Sequence, residues 1–107
     1  MRYPHSTAYT LDVIKNGAST FRPEFLGWVA NNWGVWLRFW EESQKVRATG
    51  RTHYSGRTIG EYIRHQTALS EPTGDYKVND HAWPDCCRLF MALDHTAEGF
   101  FELRGRT

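Results

Sequence analysis

The chain has 107 residues, 13 basic and 12 acidic, so its formal charge is only +1. That length bounds it to one compact domain, and the balanced charge removes any argument from a globally basic protein seeking nucleic acid. Aromatic residues make up 15% (five Trp, five Tyr, six Phe), so the core is expected to be built largely from rings.

Residues 1–20 read as an N-terminal arm, and 21–107 as a single helical domain. In the arm, Leu11, Val13 and Ile14 form a short apolar patch that fits one strand, or a segment that orders only when something packs on it. From Phe21 onward, Phe25, Trp28, Val29, Trp33, Trp36, Leu37, Phe39, Trp40 and Val46 recur at steps of three and four. This spacing predicts a helix over about 22–30, a break at NNWG where an asparagine serves as N-cap, and a longer helix over about 33–48 that ends at Gly50.

The next stretch, RTHYSGRTIGEYIRH, carries both a helix start and what could pass for an active site. Ser55 and Thr58 are N-cap types, Thr58 to Glu61 matches a capping box, and Ile59, Tyr62, Ile63 and Gln66 continue at helical steps. A third helix over about 56–69 follows, stopped by Pro72 and Gly74. Tyr76–Val78 has the alternation of a short strand. Asn79 or Asp80 then caps a last helix whose start Pro84 places near His81 to Trp83. In that helix Trp83, Cys86 or Cys87, Phe90 and Leu93 form the expected buried stripe, with Asp85, Arg88 and Ala92 outward. Phe100, Phe101 and Leu103 suggest a second strand pairing with Tyr76–Val78.

The expected fold is therefore mainly α (α+β): three to four helices with a small two-stranded β-ribbon, in a winged-helix-like order. One departure is visible already. A helix-turn-helix joins its helices by a turn of about 3–4 residues, whereas here SEPTGDYKVND intervenes.

From Asn32 to Arg104 the chain resembles a group of small proteins encoded by phages and prophages. Asn32, Val35, Trp36 and Phe39 meet its first element, and Gly50, Arg51, His53, Tyr54, Ser55, Ile59, Ile63 and Arg64 its second. Tyr76, Lys77, Val78 and Asn79 stand at the third, Arg88, Leu89, Phe90 and Met91 at the fourth, and Gly99, Phe100, Phe101 and Arg104 at the fifth. Asp80, His81 and Cys87 depart from the group's pattern. The resemblance implies a phage setting and a shared fold, and it carries over no catalytic residue.

The residues themselves argue against catalysis. Ser55 stands where a cap is needed, and no G-x-S-x-G elbow surrounds it. Cys86 and Cys87, being adjacent, make no disulfide framework and point about 100° apart on a helix, so buried apolar packing suits them better than a shared metal ion. His81 and His95 do not complete a zinc spacing with them, and glycine-rich phosphate loops are absent. No cofactor or metal is expected, and the reading is non-enzymatic.

The basic residues are the remaining signal. All 13 are arginine except Lys15, Lys45 and Lys77, and Arg38, Lys45, Arg47, Arg51, Arg57 and Arg64 face only Glu41, Glu42 and Glu61 in their region. Arginine forks suit phosphates and interface pairs. Arg51, Arg57, Arg64, His81, Arg88, Arg104 and Arg106 are the expected contacts to nucleic acid or to a partner. The leading expectation is a phage-encoded nucleic-acid-binding protein of the host bacterial cytoplasm. The alternative is a protein-binding, anti-CRISPR-like inhibitor of a host defence protein, resting on a surplus of rings and on the acidic segment 71–85 (Glu71, Asp75, Asp80, Asp85). No membrane association is expected.

Overall fold

The computed structural model describes residues 3–70 and 82–102, and for 67–70 the backbone alone. Five α-helices make up most of it: α1 Thr7–Asn16, α2 Phe25–Asn31, α3 Trp33–Ala48, α4 Gly56–Ser70 and α5 Ala82–Leu93, followed by a 3₁₀ turn, His95–Ala97.

The N-terminal patch is a helix, not a strand. Ser6 Oγ accepts the Tyr9 amide at 3.0 Å, an N-cap that satisfies one of the donors a helix start leaves open. Thr10 and Ile14, four apart, are buried, and that spacing overrides the alternation read at Leu11 and Val13. Tyr3, ahead of α1, reaches α3: its hydroxyl accepts from Trp36 Nε1 at 3.1 Å and bonds Thr10 Oγ1 at 2.6 Å. Its ring meets Trp33, Trp36 and Trp40 edge to face.

The break between α2 and α3 falls at Asn32, as expected, but its side chain works backward. Nδ2 donates to the Trp28 carbonyl at 2.9 Å, closing α2, and no side-chain cap bond reaches α3. The helix α3 buries Val35, Trp36, Phe39, Trp40 and Ser43, the last satisfied by donating to the Phe39 carbonyl at 2.7 Å. Gly50 follows it with φ +91, a left-handed conformation that costs glycine least.

Ser55 caps α4, accepting the Thr58 amide at 3.3 Å. The expected capping box at Thr58 does not form, because Thr58 already lies inside the first turn and Glu61 instead takes the Arg57 guanidinium at 3.2 Å. Ile59 and Ile63 are the core side of α4. Beside them on the same side of the helix, Gly56 and Gly60 let α5 come close. A Cβ at Gly56 would stand 2.0 Å from Cys87 Sγ, and one at Gly60 would stand 2.2 Å from Trp83 Cε2.

The helix α5 packs against all four other helices. A helix with this many neighbours buries most of its circumference, and the partly open stripe is left to Pro84, Arg88, Met91 and Ala92, so Asp85 is removed from the expected outward face. Only Ala92 is exposed; Arg88 is largely covered and Asp85 is 1% exposed. Both cysteines are buried and unbridged.

The β-ribbon, and with it the winged-helix arrangement, is overturned: the described residues hold no strand. Phe100 and Phe101 are both 3% exposed, so successive side chains enter the core, whereas a strand would send them to opposite faces. What exists is a single parallel bridge between Tyr54 and Phe101, with the Tyr54 amide donating to the Phe100 carbonyl at 3.1 Å. The first expected strand, Tyr76–Val78, lies outside the described residues. Ring stacking then continues through the core, as in Phe39 on Trp83 at 5.9 Å and 12°.

Candidate interaction surface on the fourth helix

The two side chains that suggested hydrolysis serve different structural ends. Ser55 Oγ is committed to the Thr58 amide, and His53 Nδ1 faces the Gly99 carbonyl at 3.2 Å. The cysteines offer no nucleophile at neutral pH. Burial pushes the Cys86 thiol well above its ordinary range, and it pushes Cys87 up to about 12 against the nearby Arg88 charge. A thiolate is the reactive form of cysteine, so a buried protonated thiol is inert. Among the described residues no group of three histidine, cysteine or carboxylate side chains is placed to hold a metal ion.

Asp85 is the polar residue whose role sequence reasoning missed. Its Oδ1 accepts from Arg88 Nη1 at 2.9 Å, and its Oδ2 accepts from the Arg22 amide at 3.1 Å. The carboxylate thus ties α5 to the turn before α2. Arg88, named as a nucleic-acid or partner contact, has a side chain only 10% exposed and spends its charge here. The signal available in advance was the Asp85–Arg88 spacing of one helical turn, which suits an ion pair.

A second clip joins the end of α3 to the 3₁₀ turn. Arg47 donates to Asp94 Oδ2 at 2.8 Å and to the Thr96 carbonyl at 3.1 Å, and Gln44 also reaches Asp94 at 2.9 Å. Burial pushes the Asp94 carboxyl up, but hydrogen bonds from Thr96 and Gln44 and the Arg47 charge outweigh it, leaving it below the ordinary carboxylate range.

Of the expected contacts, Arg51, Arg57 and Arg64 lie on α4 and the loop before it. The Arg51 guanidinium lies over the Tyr54 ring, 5.7 Å from its centroid, within cation–π range. Arg57 is exposed and, among the described residues, paired only with exposed Glu61. Arg64 stands seven residues on, two helical turns along the same side, and is half-buried. His53 and His65 are exposed nearby. His81, Arg104 and Arg106 lie outside the described residues, as do Glu71, Asp75 and Asp80 of the acidic segment.

Tyr62 belongs to this face as well. Its place beside Ile63, on the edge of the apolar arc, leaves the residue 47% exposed. Gln66 Nε2 donates to its hydroxyl at 2.6 Å, and Arg38 Nη2 on α3 donates to Gln66 Oε1. Tyr9 is the other exposed large apolar side chain among the described residues, so the surplus of rings expected at the surface is mostly spent in the core.

No helix among the described residues is long and apolar enough to cross a membrane. No family model, curated protein or solved structure matches the chain.

Proposed function

We propose that this chain is a non-enzymatic, phage-encoded protein that binds nucleic acid through α4 and the loop leading into it. The observation that carries the reading is the placing of Arg51 in the loop before α4 and of Arg57 and Arg64 along one side of it, with Glu61 the one carboxylate in the sequence from Arg51 to Arg64. The groups that could have done chemistry support it from the other side. Ser55 caps a helix, the thiols are buried and protonated, and Asp85 is an internal tie.

The Arg57–Glu61 pair is a weak competitor for phosphate, because exposed i,i+4 pairs contribute only about 0.3–0.5 kcal/mol. Arginine binds phosphate through parallel N–H donors, and each contact displaces condensed counterions. Binding should therefore weaken steeply with salt. A titration of fluorescent duplex and single-stranded oligonucleotides, followed by anisotropy at about 50 and 200 mM salt, tests this. Arg57→Glu should weaken binding and lower the salt slope by about 1. Binding that ignores salt, or no binding to either nucleic acid, sinks the proposal.

A further inference from the structure

We infer that the ligand of this face is single-stranded nucleic acid, held without base-edge readout by stacking one base on Tyr62 while Arg57 and Arg51 take the neighbouring phosphates. The inference rests on the nucleic-acid reading above and narrows it.

Two features of Tyr62 support it. Tyr62 is 47% exposed, whereas the other large apolar side chains described on this helix, Ile59 and Ile63, are buried, so its position is not explained by the core. Its hydroxyl is held at the tip by Gln66, which Arg38 holds in turn from α3. A ring anchored at its polar end leaves its faces for contact and loses little conformational freedom when a base stacks on it.

The same chain of bonds disfavours groove reading. Sequence readout in a duplex uses bidentate Asn, Gln or Arg against base edges. Gln66, the amide on this helix, is occupied at both ends, and the exposed side chains among those described on α4 are Arg57, Thr58, Glu61, Tyr62 and His65. A single strand can bend over this exposed arc, with the guanidinium at one edge and the ring at the other. Arg57 and Tyr62 are five residues apart, a rise of about 7.5 Å. They also point about 140° apart around the helix, so they flank the exposed arc, and a strand that meets both crosses it over more than one nucleotide.

The test uses the full chain with a labelled oligothymidine and a duplex of equal length, at low salt. Wild type should prefer the oligothymidine. Tyr62→Ala should lose about tenfold in affinity for it, since stacking contributes roughly 1–3 kcal/mol per base and 1.4 kcal/mol is tenfold. Tyr62→Phe, which keeps the ring and drops the Gln66 bond, should lose at most about threefold. Thermal melts of both variants separate a binding defect from unfolding. Equal or tighter binding to the duplex, or wild-type affinity in a folded Tyr62→Ala, overturns the stacking inference while the nucleic-acid reading stands. No binding to either oligonucleotide overturns both.

Discussion

Asp85 offers the sharpest test of how this fold is held together. Replacing it with alanine removes the carboxylate between Arg88 and the Arg22 amide, at a site where Asp85 is 1% and the Arg88 side chain 10% exposed. The loss is not that of a surface pair, because the guanidinium is left in place with little water to take over. Removing one partner of a buried pair costs about 3–5 kcal/mol. For a domain of this size that lowers Tm by roughly 12 °C or more. Asp85→Asn keeps an acceptor for the Arg22 amide and gives up only the charge, so its cost should be lower, about 1.5–3 kcal/mol. Adding Arg88→Met to Asp85→Ala removes the stranded charge and should recover part of the loss. Urea unfolding followed by tryptophan fluorescence and circular dichroism gives all three values. If Asp85→Ala costs less than about 0.5 kcal/mol, the carboxylate behaves as a solvated surface group and the reasoning fails.

Gly60→Ala should destabilise by about 2 kcal/mol despite alanine's helix preference, because the new Cβ meets Trp83, itself backed by Phe39. Gly27→Ala, with nothing within 4 Å of the added Cβ, is its control and should stabilise by about 0.5–1 kcal/mol; equal effects at both sites would refute the close-crossing argument. Ser55→Ala should lower stability by about 1 kcal/mol through loss of the cap while leaving oligonucleotide affinity in the folded protein unchanged. At Asp94 the folded carboxyl titrates below its unfolded value of about 3.9, so its stabilisation is full above that pH and fades as the pH falls through the folded value. Asp94→Asn should therefore cost about 1 kcal/mol at pH 7, with the gap to wild type closing below about pH 4 in urea melts. Cys86 and Cys87 should resist an aromatic disulfide reagent at pH 8 until the chain is unfolded. Because their folded values are raised, the unfolded state sheds thiol protons first, and stability should decline as pH rises from about 8.5 toward 12. Rapid reaction of the native thiols would show that α5 is less enclosed than its packing indicates.

The elements that could be read from the chain are those decided by neighbours in sequence. Helix α3 runs Trp33–Ala48 because ring spacing and Gly50 mark its face and its end, and α4 begins after Ser55 because that hydroxyl reaches an amide three residues on. The arginines of the candidate face were legible for the same reason. Arg51, Arg57 and Arg64 belong to one local segment, and a helix alone places the last two on one side. Asn32 shows where local reading weakens, since an asparagine marks a helix boundary but can bond to either side of it.

Tertiary structure decided what depends on enclosure. Asp85 and Arg88 look outward on an isolated helix, but α5 packs against four other helices, so an i,i+3 pair became an internal tie. Gly56 and Gly60 carry no sign in sequence of the indole and the thiol that press on them. Phe100 and Phe101 could be a strand until both rings are required by the same core, and Tyr62 could be core until Ile59 and Ile63 set the buried direction. Periodicity reports which side of an element is apolar, whereas burial depends on how many other elements arrive, and that is settled only when the helices pack.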